Sequence, residues 1–80
     1  MNKARNKIKY KNQYQKLGFN IRNIRKLKKL SQETLAFEIN STRNYIGCIE
    51  RAEKAPSLAF LFDISSALNV NIKDLFDDIN

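Results

Sequence analysis

Residues 42–52 read TRNYIGCIERA, and their polar side chains are spaced for recognition. On a helix, at about 100° per residue, Ile46 and Ile49 face one way while Asn44, Gly47, Cys48 and Arg51 share the other side. Arg43 and Tyr45 stand on its flanks. Arginine can give guanine two hydrogen bonds, asparagine can do the same with adenine, and a thiol can meet a thymine methyl. The plain alternative is a solvated helix face, which needs the same residue types and touches nothing.

Catalytic chemistry has far less to work with. The chain has no His and one Cys, and no Gly-rich phosphate loop can be found. Neither a nucleophile–base pair nor a metal cage assembles from such a set, so no enzyme, no cofactor and no metal is expected. Cys48 lies three residues from Arg51 on the outer side of that helix. A redox role is disfavoured because no second cysteine exists to resolve an oxidised thiol.

Charge points the same way as the polar face. The 80 residues carry 15 Lys plus Arg against 8 Asp plus Glu, a net +7. Residues 1–29 hold eleven of the basic side chains and no acid, whereas residues 30–80 hold four basic residues and all eight acids. One end should be drawn to polyanions and the other not. Eighty residues close one hydrophobic core. No apolar run approaches the roughly 18–20 residues that span a bilayer, so a cytoplasmic protein without a membrane partner is expected.

The elements that must position the polar face follow from periodicity. Residues 1–13 are rich in Lys and Asn with almost no large aliphatic residue and read as an arm, so the chain divides into a basic arm over 1–14 and a domain over 15–80. Leu17, Ile21, Ile24 and Leu27 form one stripe of a first helix with Arg22, Lys26 and Lys29 outward. Ser31 caps a short second helix that buries Leu35, Ala36 and Ile39, with Glu33 in its first turn. Thr42 caps a third, and Pro56-Ser57 opens a fourth with Leu58, Leu61, Ile64, Ser65 and Leu68 on one side. On that helix Phe60 falls about 160° from Leu58, away from the core and free for a subunit contact. Asn71 caps a fifth helix, with Asp74 completing a capping box and Ile72, Leu75 and Phe76 inward. The fold expected is all-α, five short helices around one core. Residues 31–51 then form two helices joined by a tight turn, a helix-turn-helix.

LGFNIRNIRKLKKLSQETLAFEI, TRNYIGCIER, APSL and ISSALNVNIKDLF occur in that order, and together they resemble the lambda-repressor-like, or Xre/Cro, helix-turn-helix family over residues 17–76. The resemblance implies a five-helix lambda-repressor-like bundle that acts as a homodimer on a two-fold operator in double-stranded DNA. Matched position by position, residues 43–51 are the recognition helix. Base contacts fall on Arg43, Asn44 and Cys48, with Thr42 at the helix entrance. Phosphate contacts fall on Gln32, Tyr45 and Arg51; Gln32 stands where free N–H groups favour an anionic oxygen. Arg25 and Glu50 match a pair that joins the first helix to the third, a structural role. The subunit surface falls on Val70, Ile72, Leu75 and Ile79, with Asp77 and Asp78 as solubilising charges beside it.

Three positions depart from the family pattern. Asn40 stands for the usual turn glycine and tolerates positive φ. Ser41 replaces a small apolar residue. Ala52 replaces a glycine expected at the end of the third helix. Gly47, inside that helix, should cost about 1 kcal/mol relative to alanine.

The function expected is sequence-specific DNA binding by a transcription regulator, of the phage-repressor or restriction–modification controller kind. The run over 43–51 looks more like the controllers. Two readings from other classes are an antitoxin-type protein-interaction module with secondary DNA binding, and RNA binding through the basic arm.

Overall fold

The computed structural model describes residues 9–80, and all its elements are helices: α1 (Lys11–Leu27), α2 (Gln32–Glu38), α3 (Arg43–Glu50), α4 (Leu58–Leu68) and α5 (Ile72–Leu75). The five-helix expectation holds. The eight N-terminal residues, with most of the expected arm, lie outside the described part. α1 begins at Lys11, so residues 11–14 are helical where an arm was expected, and Tyr14 packs on the core.

Short polar side chains set the starts of the helices after α1. The hydroxyl of Ser31 accepts from the Thr34 N–H at 2.9 Å, Thr42 from Tyr45 at 3.1 Å, and Ser57 from Phe60 at 3.0 Å. Each satisfies an N–H that has no partner inside its helix. At Asn71 the backbone N–H donates to Asp74 Oδ2 at 3.1 Å.

Leu17, Ile21, Leu35, Ile46, Ile49, Leu61, Ile64, Leu68 and Leu75 form the core. Three apolar residues expected there lie elsewhere. Leu27 is 80 % exposed. The buried face of α1 runs through Leu17, Gly18, Ile21 and Arg25, which spread over about 0° to 100° on the wheel, and Leu27 has drifted to about −80°. Leu58 is 59 % exposed, and Phe76 is 39 % exposed. In α4 the core is centred near Leu61 and Leu68, so Leu58 stands off to one side in the first turn. Phe60 stands about 90° to the other, on the flank rather than opposite the core. It is therefore half-buried and packed against the core.

α3, the helix that carries the polar face, is held by α1 and α2. Gly18 permits the closest part of that docking. A β-carbon there would lie 2.6 Å from the Ile49 carbonyl oxygen and closer still to that of Glu50, both backbone atoms that cannot yield alone. Gly18→Ala should gain about 1 kcal/mol in helix propensity but lose about 1–3 kcal/mol to overpacking. We expect a lowered urea midpoint; a raised one would show that α1 and α3 can separate freely.

The residues expected at a subunit surface divide. Leu75 is 0 % exposed and belongs to the protomer's own core, so it cannot meet a partner directly. Val70, Ile72 and Ile79 are half-buried around it.

Candidate nucleic-acid interface

The turn between α2 and α3 is closed by backbone geometry. Asn40 adopts φ 58°, the left-handed conformation that asparagine tolerates better than most residues. The Ser41 N–H then donates to the Ala36 carbonyl at 2.8 Å. Thr42 follows as the cap of α3, so the first residues of that helix project from a fixed start. Arg43 and Asn44 are its first two residues; they and Thr42 are exposed. Among the described residues neither Arg43 nor Asn44 has a side-chain hydrogen-bond partner.

The far end of α3 is fixed by charge. Arg25 donates from Nε to Glu50 Oε2 at 2.7 Å and from Nη2 to Oε1 at 3.1 Å, and from Nη1 to the Leu30 carbonyl at 2.8 Å. Gln32 Nε2 donates to the same Glu50 Oε1 at 3.0 Å. Side-chain exposures of 8 % for Arg25 and 2 % for Glu50 put this ion pair in the interior. The two-pronged geometry suits a guanidinium, and the extra donors satisfy atoms that burial would otherwise leave costly. The Glu50 carboxylate thus ties α1, the start of α2 and the end of α3 together, and Arg25 adds the segment after α1 through the Leu30 carbonyl.

Gln32 was expected only on phosphate. Its amide nitrogen is instead committed by one N–H to Glu50, which leaves the second N–H available. Tyr45 is half-buried, and its ring meets that of Phe60 edge-to-face, centroids 5.0 Å apart at 82°. That contact links α3 to α4 and restrains the tyrosine. Cys48 is half-buried on the same helix.

Arg51 follows α3 as its C-terminal cap and is exposed. Its guanidinium folds back over Gly47: a β-carbon on Gly47 would lie 2.9 Å from Arg51 Nη1 and 3.6 Å from Gln32 Nε2. Gly47 is accordingly buried, roofed by Arg51, where sequence periodicity had it facing outward. Gln32, Arg43, Asn44, Gly47 and Arg51 together line a polar notch of about 140 Å³. The structure therefore brings together two residues expected on phosphate and two expected on bases. Thr42, Tyr45 and Cys48 stand outside the notch.

Ala52 takes φ 60°. Alanine there costs roughly 1–2 kcal/mol relative to an unstrained position. Its methyl is buried, which returns about 0.8 kcal/mol that glycine would forgo. The net cost is about 0.2–1.2 kcal/mol, small enough that the turn forms without the glycine. Beyond it the Glu53 N–H donates to the Cys48 carbonyl at 2.8 Å. Glu53 then accepts from Arg51 twice, Nε to Oε2 at 2.9 Å and Nη2 to Oε1 at 3.2 Å. The hydrogen bond from Arg51 is the main reason the Glu53 carboxyl is held below its usual value, and the same bond raises Arg51. The pair is complete above the ordinary carboxylate range and is lost only as pH falls through the lowered value. Glu53 escaped the sequence reading because it lies past the helix, where periodicity has nothing to say.

The family model described as helix-turn-helix matches residues 21–75. The chain belongs to the Xre-like helix-turn-helix family. Among its Xre-like relatives, Control protein C.BamHI of Bacillus amyloliquefaciens is 48 % identical over 61 residues, covering 75 % of each chain. Control protein C.SmaI of Serratia marcescens is 39 % identical over 59 residues, covering 74 % of this chain and 70 % of that one. The crystal structure of the restriction-modification controller protein C.AhdI from Aeromonas hydrophila superposes with a TM-score of 0.77 at 38 % identity, over 79 % of this chain and 96 % of that one. The fold is thus the Xre-like helix-turn-helix bundle, and the family is one of DNA-binding regulators. Among the described residues no helix is long and apolar enough to cross a membrane, and no group of three or more His, Cys, Asp or Glu side chains could hold a metal.

Proposed function

We propose that this chain is a sequence-specific transcription regulator of the restriction–modification controller type. It binds a two-fold operator in double-stranded DNA as a homodimer in the cytoplasm and has no catalytic activity. The observation that carries this reading is the start of α3: Arg43 and Asn44, exposed and without a side-chain hydrogen-bond partner among the described residues, at the head of a helix fixed at both ends. A helix about 10–12 Å across fits the major groove, and the first residues of the second helix of such a pair are the ones that meet base edges. The similarity to C.BamHI, C.SmaI and C.AhdI supports the controller assignment.

In this reading Arg43, Asn44 and Cys48 meet bases, with Thr42 at the groove's entrance. Arg51, Tyr45 and the free amide N–H of Gln32 meet phosphate oxygens. Val70, Ile72 and Ile79 meet the partner protomer, with Leu75 supporting them from beneath. Two such protomers would place their recognition helices about 34 Å apart, one turn of DNA.

Sedimentation of the protein with short labelled duplexes, in competition with RNA hairpins, tests this directly. Two chains per duplex, unaffected by excess RNA, is the expected result. Displacement by RNA, or duplex binding that stays at one chain, would contradict it.

A further inference from the structure

Glu53 and Arg51 form an exposed pair, with about half of each side chain open to solvent. The acid is not placed there by chance of a long side chain. The left-handed turn at Ala52 and the hydrogen bond from the Glu53 N–H to the Cys48 carbonyl bring the chain back along α3. The two carboxylate oxygens then take the two-pronged grip that a guanidinium gives equally well to a phosphate. Arg51 in turn roofs Gly47 at the edge of the notch that holds Arg43 and Asn44.

We propose that Glu53 is a tethered substitute for a DNA phosphate on the Nε–Nη2 edge of Arg51, which must leave the carboxylate before that edge can grip the backbone, and that Glu53 thereby lowers affinity for duplexes of any sequence. This rests on the DNA-binding reading above. An exposed pair is weak, so a phosphate can displace it at modest cost. The freed carboxylate then stands beside a polyanion and recruits a cation. One cation is released from the DNA where Arg51 binds and one is taken up at Glu53, so this contact contributes almost nothing to the salt dependence.

Removing the acid should make the contact visible. Glu53→Gln should tighten binding to a duplex of fixed arbitrary sequence by about two- to fivefold. It should also steepen the slope of log affinity against log salt by about 0.9 per protomer, the value for one added phosphate contact. Fluorescence anisotropy between about 50 and 200 mM salt reads both. The same change made beside Arg51→Gln should give a much smaller gain, because the acid then has no guanidinium to release. An unchanged or weaker Glu53→Gln affinity, an unchanged slope, or a full gain in the absence of Arg51 would overturn the proposal. Failure of the unmodified chain to bind any duplex would instead overturn the DNA-binding reading, and the role of Glu53 with it. Thermal unfolding of Glu53→Gln within a few degrees of the unmodified chain is expected; a collapse of the fold would also overturn it, since an exposed substitute for phosphate is not a structural support.

Discussion

Glu50→Ala is expected to destabilise the protein by about 3–5 kcal/mol, the range found when one partner of a buried ion pair is removed. The loss has three parts. Arg25 keeps its positive charge in the interior, with only the Leu30 carbonyl left to receive it. Gln32 loses the acceptor for its amide. The end of α3 loses its tie to α1 and α2. A chain of 80 residues has a total stability on the order of 4–12 kcal/mol, so this single change should leave a fraction of the molecules unfolded at 37 °C or abolish the fold. Urea unfolding followed by helix content measures it. A loss under about 1 kcal/mol would mean that the pair behaves as a solvated surface bridge. Replacing both residues, as Arg25→Met with Glu50→Leu, separates charge from packing. Stability should then recover much of the loss, because no uncompensated charge remains.

Arg43→Ala and Asn44→Ala should behave in the opposite way. Neither side chain supports another described residue, so the unfolding free energy measured in urea should stay within about 0.5 kcal/mol, the ordinary effect of a surface substitution. Each should cost roughly 1–3 kcal/mol of discrimination at one base position per half-site and leave the other positions unaffected. Titrating each variant against the preferred duplex and against duplexes with single base changes gives this position by position. A uniform loss across all sequences would make the residue a phosphate contact.

The contrast between these two predictions follows a division already present in the sequence. Helix number, the caps at Ser31, Thr42 and Ser57, and the face of α3 were legible because they rest on local chemistry. A hydroxyl before an apolar-periodic run, or a side chain 100° from its neighbour, needs no distant partner to be understood. Contacts that depend on where another helix passes were harder to read. Phe60 was placed opposite the core because the angle was measured from Leu58, itself off the core, and only the position of Tyr45 on α3 shows which flank of α4 is covered. Leu27 continued a stripe in sequence that the curvature of the packed face had already left. The start of α1 was read as arm because residues 11–16 offer only Tyr14 to the core, and one aromatic gives no period. Gly18 did carry a signal, a glycine beside a buried stripe, but the carbonyls it makes room for belong to residues more than thirty positions away. Gln32 on Glu50 and Glu53 on Arg51 have no local pattern at all; both depend on the way the chain turns at the ends of α3.

Selection from a random pool of double-stranded DNA, at near-physiological salt and with the purified full chain, tests the central claim most directly. The account predicts a two-fold-symmetric motif whose half-sites lie about one helical turn apart. Recovery of salt-sensitive binders with no shared motif would contradict it. The polar face of α3 would then be a solvated surface, and binding would belong to the basic N-terminal residues alone.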